Sequence, residues 1–150
     1  MHPGLPALGP VLAALPLPLD PARVRVHGAA CARRVAWLRA LVLRLSRGRA
    51  IALGNHVFLP ARCEGDPAVL AHELTHCAQY QAWGAWRYYR RGAAAQLRDL
   101  VHRTLGLCGS PYAYRLERGK PFEAYGMELH AQLVEDRVRR ALRIASSAPV

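Results

Sequence analysis

The chain has 150 residues, 52% hydrophobic and 21% charged, a balance that supports one folded domain and excludes a disordered chain. Its formal net charge is +11, almost entirely from arginine, yet no basic run exceeds two residues and no nucleic-acid-binding motif is present, so nucleic acid is not expected as a partner. No apolar stretch reaches the roughly 20 residues of a membrane span.

Residues 1–21 read as a Pro-rich arm, with prolines at positions 3, 6, 10, 16 and 18. The stretch lacks a basic leading region, and its prolines interrupt any apolar helix, so no signal peptide is expected. Synthesis in the cytoplasm is the expectation, with export by a dedicated machine left open. The folded domain is expected over 22–145, with a frayed tail at 146–150. Val24 to His27 alternates like a short strand. Ala30 to Leu45 reads as a helix, with Val35, Leu38, Val42 and Leu45 as its apolar stripe. Two short β-like runs come next, Ala50–Leu53 and His56–Leu59, joined by Gly54-Asn55, which suits a two-residue turn. Either run could serve as an edge strand that holds a substrate backbone by strand addition; a plain packed hairpin is the alternative.

Asp66-Pro67 then supplies a cap acceptor and a proline at the first helical position. Apolar Val69, Leu70, Leu74, Cys77 and Ala78 recur at helical spacing up to a stop at Gly84. Mid-helix stands His72-Glu73-Leu74-Thr75-His76. Histidines four apart share one helix face and can point at one metal ion, most often zinc. The intervening glutamate can take a proton from metal-bound water and pass it to a leaving group. His72 and His76 are therefore the expected ligands and Glu73 the general base of a zinc metallopeptidase. The alternative is a helix with two histidines satisfied by solvent or by the core.

A third helix is expected over Ala85 to Leu105, with Trp86, Tyr89, Ala93, Leu97, Leu100 and Thr104 facing inward. A fourth runs from Pro121 to Ile144. A catalytic zinc usually takes three protein ligands, and Glu123, in the first turn of that helix, is the expected third. Glu128 is the alternative, about 140° further round the helix. An oxyanion donor is sought among Tyr112, Tyr114, Tyr125 and His130, with Tyr114 chosen. His27, His56 and His102 are assigned structural or surface roles. Cys31, Cys63, Cys77 and Cys108 form no CxxC pair, and reduced cysteines are the simpler reading.

Val24-Arg25-Val26-His27-Gly28, the run Arg49 to Leu59, and Leu70 to Gln79 together resemble the DUF4157 family, small bacterial domains of gluzincin type. The resemblance covers about residues 22 to 81, with Glu123 a looser extension. It implies zinc, a glutamate as third ligand and a peptidase-like site acting on extended peptide or protein. It also implies a small β-hairpin or edge sheet packed on the HExxH helix. Two departures stand out: Tyr80 replaces the second of the family's paired glutamines, and Gly28 stands after the strand where threonine is common. The expected fold is α+β, mainly helical, a minimal zincin-like domain. The expected function is zinc-dependent peptide-bond hydrolysis. The alternative is a non-catalytic or self-processing cargo or adaptor domain of a bacterial secretion or contractile injection system.

Overall fold

The computed structural model describes residues 13–30, 33–105 and 125–147. It is a mainly helical α+β domain with one small mixed sheet. Strands β1 (Arg25–His27), β2 (Ile51–Leu53) and β3 (His56–Phe58) lie in the order β1-β3-β2. β2 and β3 pair antiparallel, Ala52 opposite Val57, across the expected Gly54-Asn55 turn. Gly54 has φ 62°, the left-handed backbone that such a turn demands. β1 pairs parallel to β3, Val26 opposite Val57.

The strand expected over 56–59 is therefore central and hydrogen-bonded on both sides, so it is not an edge open to substrate. β2 is an edge, but the Ala52 carbonyl accepts the Tyr88 hydroxyl at 3.2 Å. A side chain thus stands where an added strand would bond.

Helix α1 (Arg33–Leu45) connects β1 to β2. Its expected apolar stripe is only partly covered: Val42 is buried, whereas Leu45 stays exposed. Arg39, which lies off that apolar stripe, reaches inward to the Leu59 carbonyl at 2.5 Å and to Glu64 at 3.4 Å. It satisfies backbone acceptors at the end of the sheet, a use of arginine that periodicity does not register.

Helix α2 (Pro67–Leu105) breaks at Gly84, where φ 74° and ψ 162° depart from helical values. Asp66 caps it, its Oδ1 accepting from Ala68 N at 2.9 Å and Val69 N at 3.2 Å. The first segment lies in the core. Ala68, Leu70, Ala71, Leu74 and Cys77 pack with Ala52, Val57 and Leu59 of the sheet side and with Val134 and Val138 of helix α3 (Met127–Ser147). Small residues at 68, 71, 77 and 78 let sheet and α3 approach this helix closely. Ala14, Leu15 and Leu19, before β1, pack on the same core.

Beyond Gly84 the stripe expected to face inward does not. Trp86 is 78% exposed, Tyr89 49% and Leu97 62%. The buried side carries Tyr88 instead, and Gly92 lies near the Met127 sulfur. Apolar spacing marks one face of a helix, but not whether another element packs against it. α3 also begins later than expected, at Met127, with the Gly126 carbonyl accepting from His130 N at 3.1 Å. Cys63 and Cys77 are free thiols; Cys31 and Cys108 lie outside the described residues.

On the other face of the sheet, His27 Nε2 lies 2.9 Å from His56 Nδ1. The two rings stack at 5.2 Å, with Phe58 stacked on His27 at 4.8 Å. Burial, and then the neighbouring His56, hold the His27 pKa below its ordinary value. A histidine depressed in the fold contributes stability above its unfolded pKa of about 6.5 and loses it as pH falls below that value. His27→Phe, which keeps the stack, is expected to flatten the acid limb of a plot of thermal midpoint against pH.

Candidate metal centre

Four residues of α2 and three of α3 build the site. His72 and His76 stand one turn apart on α2, rings edge to face at 5.1 Å. α3 crosses opposite and offers Glu128 from its first turn. Glu128 Oε2 lies 3.7 Å from His76 Nε2 and 4.0 Å from His72 Nε2. The group His72, His76 and Glu128 can place one ligand atom each within 4.8 Å of one another. Three donors on a tetrahedral zinc, with bonds of 2.0–2.2 Å, sit about 3.4 Å apart. The Glu128 oxygen would have to close on both imidazoles, from 3.7 and 4.0 Å, and the donor set of two imidazoles and one carboxylate suits zinc.

The imidazoles are oriented from behind. Gln79, wholly buried, donates its Nε2 to the Met127 carbonyl at 3.0 Å. A carbonyl only accepts, so this bond fixes which way the amide faces. Its Oε1 then meets His76 Nδ1 at 2.9 Å, which makes Nδ1 the protonated nitrogen and leaves Nε2 toward Glu128. His72 Nδ1 lies 3.0 Å from Glu135 Oε2, which assigns the same tautomer. Histidine ligands of metal sites are held in this way, by an acceptor on the far nitrogen.

Burial and charge set the electrostatics. Burial raises the Glu73 pKa, its neighbouring carboxylates adding to the effect and the two histidines opposing it. For His76, burial disfavours the cation, but Glu128, Glu73 and Gln79 outweigh it and raise the pKa to about 9. At 3.7 Å the Glu128 contact is a charge attraction, too long for a hydrogen bond. Glu128 is lowered: burial works against its charge, and His76, His72 and Arg49 prevail. Burial, with Glu73, pushes the Cys77 thiol up to about 12, and Cys77 is not among the donors that come together.

Of the residues expected from sequence, His72, Glu73 and His76 come together, and the alternative ligand Glu128 joins them. Glu123, Tyr112 and Tyr114 lie outside the described residues. Tyr125 is half-buried just before α3, and His130 is buried on α3. Sequence reasoning assigns no role to Gln79 or Glu135. Gln79 carries a signal nonetheless, falling three residues after His76 on the same helix face.

The fold and the site define a small α+β domain with an HExxH helix facing a carboxylate from a second helix. Residues 17–84 match the model of the eCIS core domain, which is the DUF4157 family. The match spans the sheet, α1 and α2 as far as Gly84, with both histidines and Glu73; Met127, Glu128 and Glu135 lie beyond it. No curated protein and no solved structure gives a significant match.

Proposed function

We propose that this chain works with an extracellular contractile injection system, as a cargo or adaptor domain, and that it holds one zinc ion between His72, His76 and Glu128. The eCIS core match over 17–84 supports the association. The convergence of two Nε2 atoms and one carboxylate oxygen supports the metal.

A second reading, peptide-bond hydrolysis, rests on Glu73. Its side chain is 5% exposed and sits between the two histidines in sequence. Zinc, when bound, lowers the pKa of a coordinated water and polarises a carbonyl. Glu73 contributes a carboxylate whose raised pKa makes it a stronger proton acceptor than a free glutamate. Gln79 and Glu135 keep both imidazoles in the ligating tautomer. The substrate would be extended peptide, and self-processing falls within the same chemistry.

Glu73→Gln separates the readings. Zinc content near one per chain is expected in both wild type and variant, by elemental analysis of protein purified without added metal. Cleavage of the chain itself or of unstructured peptide, present in wild type and lost in the variant, would establish hydrolysis. Absence of cleavage in both, with zinc retained, would leave the cargo or adaptor reading. Absence of zinc in wild type would sink the metal assignment.

A further inference from the structure

We infer that Arg139 is a positioning residue for the metal centre: it clamps Glu135 onto His72 and ties both to the capping residue of α2. The inference rests on the metal reading above. The Arg139 guanidinium donates to Glu135 Oε1 from Nε at 3.1 Å and from its terminal nitrogen at 2.8 Å. The same terminal nitrogen donates to Asp66 Oδ2 at 3.3 Å. Each carboxylate is thereby divided between two tasks. Glu135 gives Oε1 to Arg139 and Oε2 to His72. Asp66 gives Oδ2 to Arg139 and Oδ1 to the first amides of α2.

A Glu–Arg pair four apart on a helix is ordinarily a surface contact of little energy. Two observations set this one apart. The guanidinium has a second partner at the start of another helix, so it cannot move with Glu135 as a free pair would. And the glutamate oxygen it leaves over is the acceptor of a ligand histidine. With one oxygen pinned by a forked donor, the carboxylate loses its freedom to turn, and the His72 ring is held in one orientation. Arg139 is itself 39% exposed, so its removal should cost the fold little.

The test uses the full chain and two probes, zinc titrated against a chromophoric chelator and the visible absorption of cobalt(II). Arg139→Met is expected to weaken zinc binding about tenfold and to alter the cobalt spectrum, with the thermal midpoint of the metal-free protein unchanged. Arg139→Lys restores the charge without the fork and should recover part of the affinity. Asp66→Asn keeps the helix cap and should cost only about two- to threefold. Arg140→Met, one position along the exposed side of α3, serves as control. An Arg139→Met chain indistinguishable from that control in affinity and spectrum overturns the inference. So does a loss of affinity that merely parallels a loss of thermal stability. Wild type that takes up neither metal overturns the metal reading itself, and the positioning role with it.

Discussion

Glu128→Ala is expected to strip zinc from a chain whose HExxH helix is otherwise intact. Glu128 is the carboxylate that approaches both Nε2 atoms, at 3.7 and 4.0 Å. Two imidazoles alone make a weak, open site. Loss of an orienting partner typically costs ten- to a hundredfold in affinity, so loss of a ligand should exceed about a hundredfold. The same variant carries a pH signature. In the metal-free protein the His76 pKa is raised to about 9. A histidine raised in the fold stabilises it fully below the unfolded pKa of about 6.5 and ceases to do so as pH rises through about 9. Glu128→Ala removes the charge that holds the proton, so this alkaline decline should shrink. In wild type, zinc must displace that proton, and titration calorimetry in buffers of different ionisation enthalpy should show proton release at neutral pH. A Glu128→Ala chain with wild-type zinc affinity would move the third ligand elsewhere, and Glu123 would be the next residue to replace.

The second large effect is expected at Gln79. It is the largest wholly buried side chain among the described residues, and it joins α2 to α3 through the Met127 carbonyl. Gln79→Leu preserves volume but removes the bond to that carbonyl, which keeps its helical partner, and leaves the His76 Nδ1 proton without one. An orphaned buried group costs about 1–3 kcal/mol, so a loss of about that size is expected in denaturant unfolding of the metal-free protein. The His76 tautomer also loses its anchor, and zinc affinity should fall at the same time. Leu at 79 with unchanged stability would mean that the amide is not the link between the helices.

Much of this architecture is legible in the sequence. Asp66-Pro67, the HExxH spacing and Gly84 fix the helix that carries the histidines, because caps and breakers act locally. Gly54-Asn55 fixes the hairpin for the same reason. The features that escape reading depend on phase and on distance along the chain. Glu128 stands in the first turn of a helix that starts at Met127, and Pro121 is a louder start signal than Gly126; Glu123 lies outside the described residues. Glu135 meets His72 from 63 residues away, and a helical glutamate near an arginine looks like any solvated face. Trp86, Tyr89 and Leu97 share one helical stripe yet stay exposed, because apolar spacing defines a face without saying what covers it.

Gly84 also closes the family match, and this gives the break a second meaning. Both histidines lie before it, while Glu128, Glu135 and the Met127 carbonyl lie after it. The recognised portion therefore contains half of a handshake. A deletion that trims this chain to its matched part would retain His72, Glu73 and His76 and lose Glu128, the third donor of the proposed site.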